Sequence, residues 1–225
     1  MSVFKGWVGE KATQFGMWVK LDDNVYRRFH DIILETEDGA TTQIDHVVVS
    51  MYGIFIVETK NYAGWIYGSE KQAQWTQVLY GTKNRFQNPL HQNYRHTMEL
   101  ARALDVPHEK VHSIVFFIGE STFKTEMPPN VMDRGLSGYI KSFQDIVFIG
   151  QQLRTIEEKI RMLKENPASS KKEHVERLVN RFTSDTTCPK CGSELVRRTV
   201  RQGKNAGKTF LGCSGFPKCR FTKQD

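Results

Sequence analysis

Apolar residues first recur at helical spacing: Phe4, Trp7, Val8, Ala12, Phe15 and Val19 share one stripe and predict an amphipathic helix. The period then changes. Tyr26 to Thr36, Thr41 to Ser50 and Ile54 to Lys60 are rich in branched and aromatic residues and are separated at Asp38-Gly39 and Tyr52-Gly53, which predicts a meander of three antiparallel strands. Asn88-Pro89 joins a capping side chain to a proline suited to a first helical turn, so a helix should run to about Leu104. Val111 to Ile118 is an unbroken apolar run, long enough for a buried strand and too short for a helix. A strand arriving after a helix implies a mixed sheet with helices packed on it, an α/β (α+β) fold.

Helical spacing returns in Gln151 to Glu165, through Leu153, Ile156, Ile160 and Leu163, and again in Lys171 to Phe182, with a break at Pro167-Ala168-Ser169-Ser170. These boundaries predict a first domain over 1–150, a helical connector over 151–184 and a small terminal domain over 185–225. No apolar run approaches the roughly 18 residues of a membrane helix, and Met1 to Glu10 lacks the form of a signal peptide, so a cytoplasmic chain without a membrane partner is expected.

Charge sharpens the division. Of the chain's net +7, six charges fall from Asp185 onward, where nine basic residues face three acidic ones. A compact segment this basic attracts polyanions and gains by releasing their counterions, although a solubilising tail would show the same charge. All four cysteines lie there too, as Cys188-x2-Cys191 and Cys213-x5-Cys219 separated by 21 residues. Two close pairs around a hairpin-length insert suit a structural, tetrahedral Zn2+; two disulfides are the competing arrangement, disfavoured in a reducing compartment. A segment of about 40 residues needs metal binding to supply its folding free energy. Between the pairs, Leu195 to Leu211 reads as two short strands joined at Gly203 to Gly207.

Cys188-Pro189-Lys190-Cys191-Gly192 and Gly212-Cys213-Ser214-Gly215-Phe216-Pro217-Lys218-Cys219-Arg220 resemble the C4 zinc ribbons at the C-terminus of bacterial type I topoisomerases. The resemblance implies binding of single-stranded or distorted DNA by basic and aromatic residues: Arg197, Arg198, Arg201, Lys204, Lys208, Phe216, Lys218 and Arg220. Phe210 and Phe221 are further candidates, and a small core around the zinc is the other use for these rings. The topoisomerase catalytic domain has no room in this chain.

The first domain carries its chemistry in Gln43-Ile44-Asp45-His46 and Glu58-Thr59-Lys60, acidic residues inside otherwise apolar strands. In a hairpin symmetric about Met51-Tyr52, paired positions sum to 103, so Asp45 faces Glu58 and Lys60 pairs with Gln43. Like charges so placed repel, and either a divalent cation or a salt-bridged Asp–Glu–Lys cluster relieves them. Gly6-Trp7-Val8-Gly9-Glu10, the two strand motifs and Asn88-Pro89-Leu90-His91-Gln92-Asn93 together resemble the nuclease-related domain, NERD, itself similar to the PD-(D/E)xK nuclease superfamily with its restriction-endonuclease-like mixed sheet flanked by helices.

That resemblance implies a metal-dependent nuclease hydrolysing DNA phosphodiester bonds. It makes Asp45 and Glu58 ligands of Mg2+ or Mn2+, with the Thr59 carbonyl as a third, Lys60 the catalytic cation, and Glu10 and Gln92 further members of the site. Ile44 stands where the superfamily name has proline. His46 and His96 are candidate bases, and Lys83, Arg85 and Arg95 candidate phosphate contacts. A non-catalytic DNA-binding protein on a nuclease-like scaffold is the second function class, and an RNA-binding or partner-docking module the third.

Overall fold

A computed structural model describes residues 21–36, 40–165, 173, 176, 184–189, 193–203, 205–217 and 219–224. The first expected helix with Glu10, nearly all of the second connector helix, and Lys190, Cys191, Lys204 and Lys218 lie outside them. The chain divides into two units, Met1–Ala168 and Ser169–Asp225.

In the first unit, β1 (Arg27–Glu35), β2 (Thr41–Ser50) and β3 (Gly53–Lys60) form the expected antiparallel meander. Next come β4 (Gly64–Tyr67), β5 (Gln74–Leu79) and β6 (Thr82–Gln87), then helix α1 (Pro89–Leu104) and β7 (Val111–Phe117). β8 (Ser121–Phe123), β9 (Val131–Met132), α2 (Leu136–Lys141) and α3 (Gly150–Glu165) complete the unit. Strand β7 pairs in parallel with β3, giving a mixed five-stranded sheet of order β1-β2-β3-β7-β9. A buried apolar run on both faces is what a central parallel strand requires, and Ile54, Phe55, Ile56 and Val57 are all fully buried.

Alternation sends these residues to opposite sides. Val47, Val49, Ile54 and Ile56 pack with Leu100 and Leu104 of α1 and Ile156 and Ile160 of α3. Val48, Phe55 and Val57 pack with Leu136 and Ile140 of α2 and with Leu21 and Tyr26. Helix α3, assigned above to the connector, thus lends its apolar face to the first unit's core. The alternation of β1 and β2 breaks at one place: Phe29 and Ile32 share a face, as do Ile44 and Val47. Asp31, left-handed at φ 55, lies at this break, and so does Asp45.

A second sheet, of order β6-β5-β4-β8, was not foreseen. Its strands are short, and β6 (TKNRFQ) is almost wholly exposed, so neither length nor alternation betrays them. Its hairpin turns through Tyr80 and Gly81, both at positive φ, without the Asn-Gly pair that usually signals such a turn. Ile66 and Trp75 fill the space between this sheet and Val115 and Phe117 of β7.

The second unit contains β10 (Leu195–Thr199) and β11 (Thr209–Cys213), the two expected strands, plus an unexpected β12 (Thr222–Gln224) that pairs with β11. Its core holds Cys188, Leu195, Leu211, Cys213 and Cys219, with Phe221 packed against them.

Candidate active site and metal centre

The β2–β3 ladder pairs His46 with Val57 and keeps the expected sum of 103, but it ends there. Asp45 and Glu58 are therefore not a ladder pair, and Gln43 pairs with Ile33 of β1 rather than with Lys60. The reason lies in the break of alternation: β2 stays with β1 and parts from β3, leaving the Thr59 amide on an open edge. Asp45 satisfies it. Its Oδ2 accepts from Thr59 N at 3.1 Å and from Thr59 Oγ1 at 3.0 Å. Burial first, and the nearby charge of Glu58 second, raise Asp45 to about 6, opposed by the two Thr59 hydrogen bonds and by Lys60.

Glu58 is buried, and its two oxygens look to two partners. Lys60 Nζ lies 2.5 Å from Oε1, and His96 Nδ1 lies 3.5 Å from Oε2. The Lys60 ammonium also donates to Gln92 Oε1 at 3.0 Å. Burial holds His96 down to about 4, so the ring is neutral, and its Nδ1 has no hydrogen-bond partner among the described residues. Asp45, Glu58, Thr59, Lys60 and Gln92 are thus linked by hydrogen bonds or charge, though not in the expected register, whereas Glu10 lies outside the described residues.

His96 belongs with them more closely than its sequence context implied. The signal was available in its spacing, because Gln92 and His96 are one turn apart on α1 and share a face. His46 has a different setting: its Nδ1 meets His30 Nδ1 at 2.8 Å, and burial and His30 hold it down to about 3.

Two asparagines fix α1 in place: Asn88, expected from the sequence as its cap, and Asn93, whose tie to the sheet was not foreseen. Asn88 Oδ1 caps the helix by accepting from Leu90 N at 2.9 Å, while its Nδ2 donates to the carbonyls of Ser69, Glu70 and Gln72. One buried side chain thereby joins the start of α1 to the β4–β5 loop. Asn93, also fully buried, donates to Ile56 O at 3.2 Å and Ile114 O at 3.0 Å, tying the same helix to β3 and β7. Gln92 is set between these two anchors.

In the second unit, Cys188, Cys213 and Cys219 are buried with their sulfurs all within 4.8 Å of one another. They are free thiols rather than disulfide partners, as a metal site requires. Cys191 lies outside the described residues. Arg197, Arg198, Arg201, Lys208 and Arg220 are exposed, and the Arg198 guanidinium stands 5.9 Å from the ring centre of Phe216, which is 57% exposed. Phe221 serves the core instead.

Comparison with known proteins agrees with this division. Residues 5–118 match the family model of the nuclease-related domain, and residues 185–225 match that of the topoisomerase DNA binding C4 zinc finger. The ribbon match and the buried thiol cluster support a structural zinc ion. An uncharacterized protein of Bacillus anthracis is 55% identical over 93 residues, 41% of this chain and 43% of its own length. DNA topoisomerase 1 of Methanothermobacter thermautotrophicus is 48% identical over 52 residues, 23% of this chain and 6% of its own. DNA topoisomerase 1 of Archaeoglobus fulgidus is 63% identical over 35 residues, 16% of this chain and 5% of its own. The chain thus spans less than half the length of these curated relatives. No solved structure gives a significant match.

Proposed function

Because this chain belongs to the nuclease-related domain family, we propose that its first unit hydrolyses DNA phosphodiester bonds at the Asp45–Glu58–Lys60 cluster, with Mg2+ or Mn2+ as cofactor. The observation that carries the reading is the convergence of two carboxylates and an ammonium where β2 leaves β3. The donor set fits a hard divalent ion: Asp45 is raised to about 6 in part by its carboxylate neighbour, a repulsion that a cation relieves. Asp45 and Glu58 would hold such an ion, which would supply Lewis acidity and activate a water for attack.

The chain's own groups do the rest. Thr59 fixes the orientation of Asp45 through two hydrogen bonds. Gln92 holds the Lys60 ammonium, which donates to a non-bridging phosphate oxygen and stabilises the charge that develops there. In the reaction, water oxygen bonds to phosphorus as the ester P–O bond breaks, leaving a phosphate monoester and an alcohol.

The second unit is read as a zinc-folded grip on single-stranded or distorted DNA through Arg197, Arg198, Arg201, Lys208, Phe216 and Arg220, with Lys204 and Lys218 completing the set. Tethering the two units raises the local concentration of substrate without new contacts at the active site. A cytoplasmic location, where thiolates stay reduced, goes with this reading.

One observation favours a second reading. Lys60 already neutralises Glu58, so the cluster is self-sufficient as a salt bridge on a non-catalytic DNA-binding scaffold. Incubating purified protein with DNA and Mg2+ or Mn2+ separates the two. Cleavage abolished by Glu58→Ala and by Lys60→Ala supports the nuclease; cleavage that survives both removes this cluster from the reaction, and a wild type that neither cuts DNA nor binds a divalent ion besides zinc leaves the scaffold reading.

A further inference from the structure

Strand β4 turns its apolar Ile66 into the core, but its outward positions are not the polar residues expected of a solvent-facing side. They are Trp65, 50% exposed, and Tyr67, 36% exposed. Register continues the pattern across the sheet. Trp65 pairs with Thr122 on one side and Val78 on the other, and Val78 pairs with Lys83. Tyr67 pairs with Thr76, and Thr76 with Arg85. Two parallel rows result, each running from an aromatic ring to a basic side chain.

Lys124, just beyond β8, places its ammonium 4.8 Å from the Trp65 ring centre. The outward strand positions Trp65, Tyr67, Gln74, Thr76, Val78, Lys83, Arg85, Gln87 and Thr122 include no acidic residue. Along the second row lies an open depression of about 520 Å³ lined by Tyr67, Gln74, Thr76, Arg85 and Thr125.

We propose that this face of the second sheet is a binding platform for an unpaired DNA strand, whose bases stack on Trp65 and Tyr67 while Lys83, Arg85 and Lys124 meet its phosphates. The rows are two residues apart, about 6.7 Å along the strand, comparable with the step between bases in an extended single strand. Base–aromatic stacking needs bases with open faces, which a duplex withholds and a single strand offers. With no acidic residue among the outward strand positions, the cations of this face match a phosphate backbone in sign. The platform also lies near the carboxylate cluster: five residue steps from Lys60 to Trp65 span at most about 18 Å. Asn88 secures the β4–β5 loop to the helix that carries Gln92. A strand lying on this face is therefore presented to the cluster a few nucleotides away. The proposal rests on the reading of this protein as one that acts on DNA, but it does not depend on cleavage.

The test uses the full chain without added Mg2+ and an oligo-dT of about 16 nucleotides carrying 5-iodouracil. Ultraviolet cross-linking followed by peptide mapping should place adducts on Trp65 or Tyr67. Two double variants, Trp65→Ala with Tyr67→Ala and Lys83→Glu with Arg85→Glu, should each weaken single-strand binding at least about 10-fold with thermal melting unchanged, and should affect duplex binding less. Adducts confined to ribbon peptides, unchanged affinity in both variants, or an equal loss for duplex would overturn the platform. A wild type that cross-links at these rings yet cleaves nothing once Mg2+ or Mn2+ is added would sink the nuclease reading alone. Cleavage of single strands with Mg2+ added that is as fast in both variants as in wild type, with unchanged affinity, would sink the platform alone.

Discussion

Thr59 gives both its amide and its hydroxyl to one oxygen of Asp45, at 3.1 and 3.0 Å. The amide bond compensates for the missing strand partner, and the hydroxyl bond holds the carboxylate in one orientation. Thr59→Val keeps the shape and removes the second bond, worth about 1 kcal/mol. Asp45 should then titrate above its present value of about 6, and divalent-ion binding should weaken several-fold. Carboxylate NMR titration and calorimetry check both.

The pH dependence of stability follows from three buried groups of opposite sign. Asp45, at about 6, stands above its ordinary value near 4, so the folded chain holds its proton more tightly. Its contribution is complete below about pH 4 and is lost as pH rises through 6. His46 and His96, held near 3 and 4, behave inversely: the stability tied to their neutral rings is present above about pH 6.5 and is lost on acidification. Two histidines outweigh one aspartate, so the protein without divalent ion should lose stability from pH 6.5 to 4 in denaturant titrations. Asp45→Asn should stabilise it near neutral pH by on the order of 1–2 kcal/mol and make the acid loss steeper.

Asn88→Ala removes a helix cap and leaves three carbonyls of the β4–β5 loop without their donor. The cost should be about 2–4 kcal/mol, read as a lower midpoint in urea. Asn88→Asp restores the cap acceptor without the amide donor and should recover only part of it.

Gln92→Leu preserves the bulk of the side chain and deletes the acceptor that shares the Lys60 ammonium with Glu58. Under the nuclease reading kcat should fall by about 10-fold or more while single-strand affinity stays unchanged. An equal loss in Kd and none in kcat would make Gln92 a substrate contact instead.

Zinc should be bound by the second unit and govern its folding. Cys213→Ser or Cys219→Ser opens the buried thiol cluster, and metal analysis should show loss of the zinc present in wild type. The ribbon's amide protection should collapse in hydrogen exchange while that of β3 and β7 persists.

The parts of this fold that were legible in the sequence are those in which one periodicity runs undisturbed. The meander, helix α1 with its Asn88-Pro89 start, and the buried run of β7 each carry a local signal that tertiary contacts reinforce. The small sheet escaped because its outward face has aromatic and basic residues where alternation would place simple polar ones, so β4 to β6 read as neither core nor surface. At the candidate site, chemical type was readable and geometry only partly so. A register sum of 103 holds for the ladder, yet nothing in Ile44-Asp45-His46 announces that β2 departs one step before Asp45. The long-range bonds of Asn88 Nδ2 and of Asn93 were missed for another reason: a buried amide that binds carbonyls of distant segments has no short-range pattern.

The parallel pairing of β3 with β7 also bears on the chain while it is being made. Ile54 meets Val111 only after the whole of β4 to α1 has been synthesised, and until then β3 offers Ile54-Phe55-Ile56-Val57 as an uncovered edge. A product ending anywhere before Val111 keeps that edge for good. Such fragments should cluster through it, so ribosomal pausing or proteolysis within residues 61–110 would yield insoluble remnants.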